Sequence, residues 1–241
     1  MAIDQSLVMT FPNSQGDVEI YMPEHTKVLI KCSGGADSSL FLYMLAKYRH
    51  ECNPSITITI ASSVNVDLPY QYVIAKRVAE YVNSVYPMGD YKHHHRDNRG
   101  GEFYPSDMNL LTDALDDITD KQYMLVTLNP PIEEMKAHNM YNDERCDFRD
   151  AGAPDLFSLK SGLISENNWD HNRPFARHDK RGIAEFYDNL GIRDTLFPLT
   201  RSCEEETTDF SSHCGTCWFC LEREWGFGEL DPPIIVEETA A

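Results

Sequence analysis

The sequence predicts an α/β fold, a parallel twisted sheet flanked by helices. Three observations predict it. Short apolar runs rich in β-branched residues occur at 27–32 and 55–66. Each is followed by apolar residues at helical spacing, at 40–48 and 70–85. Strand–helix–strand–helix order calls for parallel strands joined by right-handed crossovers. Third, four of the seven cysteines fall between Cys203 and Cys220, which sets a C-terminal segment apart.

Taken in order, residues 1–25 are punctuated by Pro12, Gly16 and Pro23 and predict an edge hairpin or a loose arm. Lys27 to Cys32 is a short apolar run ending at small residues, which suits a buried strand. Ser33 to Ser38 is a turn. Leu40, Phe41, Met44, Leu45 and Tyr48 then trace one helix, and Val73, Ile74, Val78, Tyr81 and Val82 trace another within 70–85. Pro87 to Pro105 is polar, carries His93, His94 and His95, and is expected to be a loop. Met108 to Ile118 predicts a helix, and Tyr123 to Leu128 a third strand. Residues 129–170 mix prolines, acids and glycines with little periodicity. Such length suits a lid or a substrate-binding segment. Asp179 to Leu190 predicts a helix, with Asp179 as its N-cap and Gly191 just past its end.

The 241 residues, 41% hydrophobic, suffice for one domain with a small appendage. The expected division is 1–199 and 200–241. The formal net charge is −18 and the isoelectric point about 4.8. Such a chain repels nucleic acid and anionic membrane unless its basic residues cluster, and the 21 Lys and Arg are scattered. A small-molecule substrate is therefore favoured over tRNA. The start lacks the charged and apolar regions of a signal peptide, and no stretch approaches a membrane span. Uneven cysteine placement points to a reducing cytosol and a metal site rather than disulfides.

The most specific motif is Ser33-Gly34-Gly35-Ala36-Asp37-Ser38, between a strand and a helix. Glycines let backbone N–H groups approach an anion closely, the serines add hydroxyl donors, and the helix start adds partial positive charge. The alternative is a plain strand-to-helix turn. Walker A spacing is absent, so a different use of ATP is implied. Asp37 suits either helix capping or holding Mg²⁺ through water. Cys203, Cys214, Cys217 and Cys220 follow C-x10-C-x2-C-x2-C. Four thiolates fill the tetrahedral shell of Zn²⁺, and Gly215 eases the tight turn. An iron–sulfur cluster and free thiols are the alternatives. His213 is a bystander on this reading.

The loop resembles the SGGxDS signature of the PP-loop ATP pyrophosphatases, whose fold is Rossmann-like. The resemblance implies cleavage of ATP between its α and β phosphates. It also implies that Ser33, Gly34, Gly35, Ala36, Asp37 and Ser38 hold the leaving pyrophosphate. The C-terminal third resembles the 7-cyano-7-deazaguanine synthases of queuosine biosynthesis. Pro174, Lys180, Ile183, Leu190-Gly191, Thr200, Ser202-Cys203, Cys214-Gly215-x-Cys217-x2-Cys220 and Arg223 carry that likeness. It implies ATP-dependent adenylation of 7-carboxy-7-deazaguanine, amidation with ammonia and dehydration to the nitrile. Lys180, with Asp37 and Ser38, would be catalytic. A cation in the first turn of a helix is unfavourable beside the macrodipole, which suits a functional lysine. A homodimer is implied by the resemblance alone.

The chain departs from the family's Pro-Gly-Arg-Asn stretch, having Pro105-Ser106-Asp107-Met108-Asn109 instead. Arg145 and Cys146 only loosely match the family's Asp-Cys-Arg region. Neither Ser62 to Val66, expected to frame adenine, nor the three adjacent histidines is diagnostic. Cys32 is expected to be a small core residue. Trp218, Phe219, Trp225 and Phe227 are expected to pack a small core around the cysteines. The competing readings are a tRNA sulfur or amide transferase, a non-catalytic nucleotide-binding module, and an enzyme that adenylates a protein end.

Overall fold

The computed structural model describes residues 7–64, 70–97, 119–123, 125–141, 173–203 and 213–230. The expected helix at 108–118, Pro105 to Asn109, Arg145 and Cys146 lie outside them.

Strand β1 (Val8–Phe11) pairs antiparallel with β2 (Val18–Tyr21). The pair forms a sheet of its own rather than an edge of the main one. Its exit is fixed by Tyr48, whose hydroxyl accepts from Met22 N at 3.0 Å and donates to Leu7 O at 2.9 Å.

The main sheet holds β3 (Lys27–Lys31), β4 (Thr57–Val64), β5 (Lys92–Asp97) and β6 (Lys121–Tyr123) in the order β5-β4-β3-β6, all parallel. Helix α1 (Ala36–Glu51) joins β3 to β4 and α2 (Tyr70–Val85) joins β4 to β5. Val28, Leu29 and Ile30 are all buried, as befits a central strand covered on both faces. Leu40 through Ala46 of α1 are buried without interruption, so this helix lies inside the fold.

Two expectations are corrected. The polar stretch after Pro87 is not all loop, because Lys92–Asp97 forms the edge strand β5 paired to Thr59–Val64. Its histidines are tolerated because an edge strand buries only part of each face. The third strand is shorter and earlier than the apolar run at 123–128. Pairing with Val28–Ile30 sets its limits at Lys121–Tyr123. Beyond it, Leu128 N bonds to His178 O instead, at 2.8 Å.

Past the sheet come α3 (Ile132–Ala137), α4 (Lys180–Asn189), a 3₁₀ turn at Phe197–Leu199 and α5 (Trp218–Phe227). Asp179 caps α4 as expected, accepting from Arg181 N at 2.9 Å and Gly182 N at 3.1 Å. Phe227 stacks on Phe197 within the main core, with ring centroids 4.0 Å apart. Trp225 instead joins Met135 and Met140 in a small second core, which Trp218 and Leu221 flank. Among the described residues no helix is long and apolar enough to cross a membrane.

Candidate nucleotide and metal site

The chain runs from β3 to β4 on one side, and β6 returns on the other. The strands stay parallel, but the order in which they are added therefore reverses beside the carboxyl end of β3. That crevice is where open parallel sheets bind ligands. The loop Ser33-Gly34-Gly35 sits there, followed at once by α1.

Gly34 has φ +78°, and a Cβ on it would lie 2.6 Å from Ile74 Cγ2 and 2.9 Å from Ala75 N. Only glycine lets the loop close down on α2 here. Gly35 is the N-cap of α1, and no side chain caps its amides. Ser33 Oγ accepts from Gly35 N at 3.3 Å, and Ser38 Oγ donates to Gly35 O at 3.2 Å. The two hydroxyls lie 3.5 Å apart. Helix amides without a side-chain cap, two converging hydroxyls and the positive end of a 16-residue helix make a candidate anion cradle.

Lys180 approaches this cradle from a point 143 residues away in sequence. Its Nζ donates to Asp37 Oδ2 at 2.5 Å and lies 3.8 Å from Glu222 Oε2. Lys180 is only 5% exposed and Glu222 is fully buried. Asp37 Oδ1 is buried with no hydrogen-bond partner. Asp37 thus does not cap α1, and its Oδ1 is shut off from water. It is held by the lysine with one oxygen in reserve.

The elements holding Lys180 were not legible as such. Gln15, in the β1–β2 turn, accepts from Asp179 N at 2.9 Å and donates to Asp179 Oδ1 at 2.7 Å. His178 Nε2 donates to Gly16 O at 2.6 Å, since a carbonyl oxygen only accepts, and burial pushes the ring's pKa down. Of the two expectations for residues 1–25, a hairpin forms rather than a loose arm, and it clamps the start of α4. On the other side, Gly226 of α5 faces Lys180, and a Cβ there would lie 2.7 Å and 2.8 Å from the Lys180 carbonyl carbon and oxygen. That close approach is what brings Glu222, four residues earlier on the same helix face, to the lysine.

A second strap joins the cradle to the cysteines. Arg201 N donates to Gly34 O at 2.9 Å. The buried Arg223 donates to Ser202 Oγ at 2.8 Å and to Thr200 Oγ1 at 2.7 Å. Tyr70 Oη donates to Cys203 O. Segment 200–203 is therefore fixed between the loop and α5.

The sulfurs of Cys203, Cys214, Cys217 and Cys220 lie within 4.8 Å of one another and could hold a metal ion. Cys214 Sγ accepts from Cys217 N at 3.2 Å and Thr216 N at 3.4 Å. Burial pushes the Cys214 thiol up, but those N–H groups outweigh it and leave it below the usual thiol value. The thiols of Cys203 and Cys217 beside Cys220, together with its burial, push Cys220 up. Crowded thiols of this kind resist joint ionisation unless a cation enters among them. His213 Nδ1 stands 3.9 Å from Cys220 Sγ, outside the sulfur set.

The histidines of β5 do not converge. Their side chains alternate across the strand. His93 Nε2 meets Ser62 Oγ at 2.8 Å, while Ser62 donates to Cys32 O at 2.6 Å. Burial, then the neighbouring His95, His94 and Lys76, depresses His93 to about 4. Cys32 is fully buried, and burial raises its thiol, as a core residue requires.

No protein-family model matches the chain, and no curated protein does. Among solved structures it is similar to the U34-tRNA thiolase NcsA from Methanococcus maripaludis with its [4Fe-4S] cluster. The two share 13% identity over 86% of this chain and 72% of that one, with a TM-score of 0.44. A likeness at that level assigns neither family nor activity.

Proposed function

We propose that the chain is an ATP pyrophosphatase of the PP-loop type that adenylates a small carboxylate, with 7-carboxy-7-deazaguanine as the acceptor. The observation that carries the reading is Lys180 Nζ resting on Asp37 of the anion cradle. A buried lysine at a helix start stands where cations are disfavoured, so its place needs an anionic partner. Asp37 fills that place here, and a polyphosphate would compete for it.

In the proposed reaction the substrate carboxylate oxygen attacks the α-phosphorus of ATP. The bond to the β-phosphate breaks and pyrophosphate leaves, giving an acyl adenylate. Ammonia adds to the acyl carbon, loses a proton, and expels AMP as the amide forms. The amide oxygen attacks the α-phosphorus of a second ATP and pyrophosphate leaves, and loss of AMP and both amide protons leaves the nitrile. The N–H groups of Gly34 to Ser38 and the hydroxyls of Ser33 and Ser38 would hold the departing pyrophosphate. Lys180 would neutralise charge growing on the bridging oxygen. Mg²⁺ would shield the same phosphates, with the unpartnered Asp37 Oδ1 suited to its hydration shell.

Zinc is the favoured metal at the cysteines. Bonds of about 2.3 Å put tetrahedral sulfurs about 3.8 Å apart, and Cys214 Sγ lies 3.8 Å from Cys220 Sγ. Thiolates bound to four separate irons would stand wider than the 4.8 Å limit seen. Four sulfurs leave no open position, so zinc there would be structural. We retain 1–199 and 200–241 as the nucleotide and metal segments, the cytoplasm as location and a homodimer as the assembly.

The test is mass spectrometry of the chain with ATP, Mg²⁺, ammonium and 7-carboxy-7-deazaguanine. AMP with the amide or nitrile is expected. AMP without a deazaguanine product would move the acceptor to another carboxylate, a tRNA base or a protein end. No AMP with any acceptor would overturn the reading.

A further inference from the structure

We propose that Glu222 is a positioning residue for Lys180, an anionic tether that keeps the ammonium aimed at the phosphate cradle. The inference rests on the nucleotide reading above. It starts from two ion-pair distances. The Lys180 ammonium stands near two carboxylates, with Asp37 Oδ2 at 2.5 Å and Glu222 Oε2 at 3.8 Å. The Glu222 side chain is fully buried, that of Lys180 is 6% exposed and that of Asp37 18%. A carboxylate taken wholly out of water needs a cation close by.

The two carboxylates are not equivalent. Asp37 belongs to the cradle itself and must share its lysine with any bound polyphosphate. Glu222 comes from α5, outside the cradle loop. When phosphate oxygens draw the ammonium off Asp37, Glu222 remains as the fixed counter-charge. It limits how far the flexible lysine chain can swing and holds its position without needing water.

The placement is built rather than incidental. Gly226 shares a face of α5 with Glu222 and lets the helix touch the Lys180 main chain. Arg223, next along α5, anchors the helix through Ser202, Thr200 and Phe197 O. The carboxylate therefore has little freedom to retreat.

The sign of the effect makes the proposal testable. By charge alone, removing a carboxylate near an anion site should tighten anion binding. If Glu222 holds the lysine in place, removing its charge should weaken binding instead. The experiment is calorimetric titration of the full, metal-loaded chain with inorganic pyrophosphate and Mg²⁺. Wild type, Glu222→Gln, Lys180→Gln and the double variant would be compared. Glu222→Gln should bind about tenfold more weakly, and in the Lys180→Gln background the same change should no longer weaken binding. Tighter or unchanged binding in the single variant would overturn the proposal. So would equal weakening in both backgrounds, which is the mark of a packing defect. Should Glu222→Gln fail to fold, Glu222→Asp retracts the charge by one methylene and carries the same cycle. Absence of pyrophosphate binding by the wild-type chain would overturn the nucleotide reading itself, whereas binding with additive losses would overturn the role of Glu222 alone.

Discussion

The phosphate cradle and the cysteine knot are both built from tight loops that open a helix, yet they are finished differently. In the knot, the loop amides of Thr216 and Cys217 turn inward onto Cys214 Sγ, and the four sulfurs face one another. In the cradle, the start of α1 has no side-chain cap and Asp37 keeps one carboxylate oxygen without a partner. On the proposed reading, four sulfurs would fill the shell of one metal ion and leave the knot a structural role. The cradle leaves polar groups unused, and on the proposed reading a polyphosphate would complete it. A shared scaffold joins them, since α5 and its N-cap Cys217 bring Cys217, Cys220, Glu222 and Arg223 within seven residues.

If this contrast is right, removing metal should break both regions at once. Chelation of the bound ion, or Cys217→Ser, should release about one zinc per chain. It should lower the melting temperature by roughly 10 °C or more. Metal analysis with a thermal melt checks this. A folded chain of unchanged stability without metal would remove the knot from the account.

The cradle should break in the opposite manner, losing chemistry but not fold. Asp37→Asn leaves Lys180 with Glu222 and changes little packing. Pyrophosphate release should fall by about 10²- to 10³-fold, the range for losing one preorganised charge-stabilising group. The melting temperature should move by no more than a few degrees. Turnover at the wild-type rate would take Asp37 out of the mechanism.

What the sequence revealed follows the same divide. The cradle and the knot are local, with their spacing written into a few consecutive residues, so both were legible. Asp179 and Gly191 were legible for the same reason, being the cap and stop of one helix. The contacts that join the sites were not. Glu222 reads as one more charge on an amphipathic helix, and Gln15 and His178 as unremarkable polar residues. Their meaning comes only from elements distant in sequence meeting in space, 164 residues apart for Gln15 and Asp179 and 162 for His178 and Gly16. One signal was available. Gly226 interrupts an otherwise good helix former, and a glycine at such a place suggests a close approach. The β5 strand was hidden because edge position excuses polar residues that a central strand would refuse.

Gly226→Ala tests the joint directly. Its Cβ meets main-chain atoms of Lys180, which cannot move aside as a flexible side chain would. Forcing the helices apart should cost about 1–3 kcal/mol. It should also lower turnover by retracting Glu222, while zinc content stays near one. Denaturant unfolding and metal analysis on the same sample would separate these effects. Loss of zinc together with activity would mean that the two sites cannot be uncoupled at this contact.

The smallest effect is expected at the start of α4. Asp179→Ala removes the acceptor for Arg181 N and Gly182 N and the partner of Gln15 Nε2. Losing an N-cap costs about 1 kcal/mol, or roughly 2–4 °C in a chain of this size. Asp179→Asn should restore most of that, because an amide oxygen still accepts from the helix amides. Activity discriminates further. Lys180 is the first residue of α4, but Asp37, Glu222 and the close contact at Gly226 also hold it. Turnover should therefore drop by no more than a few-fold in Asp179→Ala. A loss as large as that of Asp37→Asn would show that the cap, rather than the two carboxylates, sets the position of the lysine.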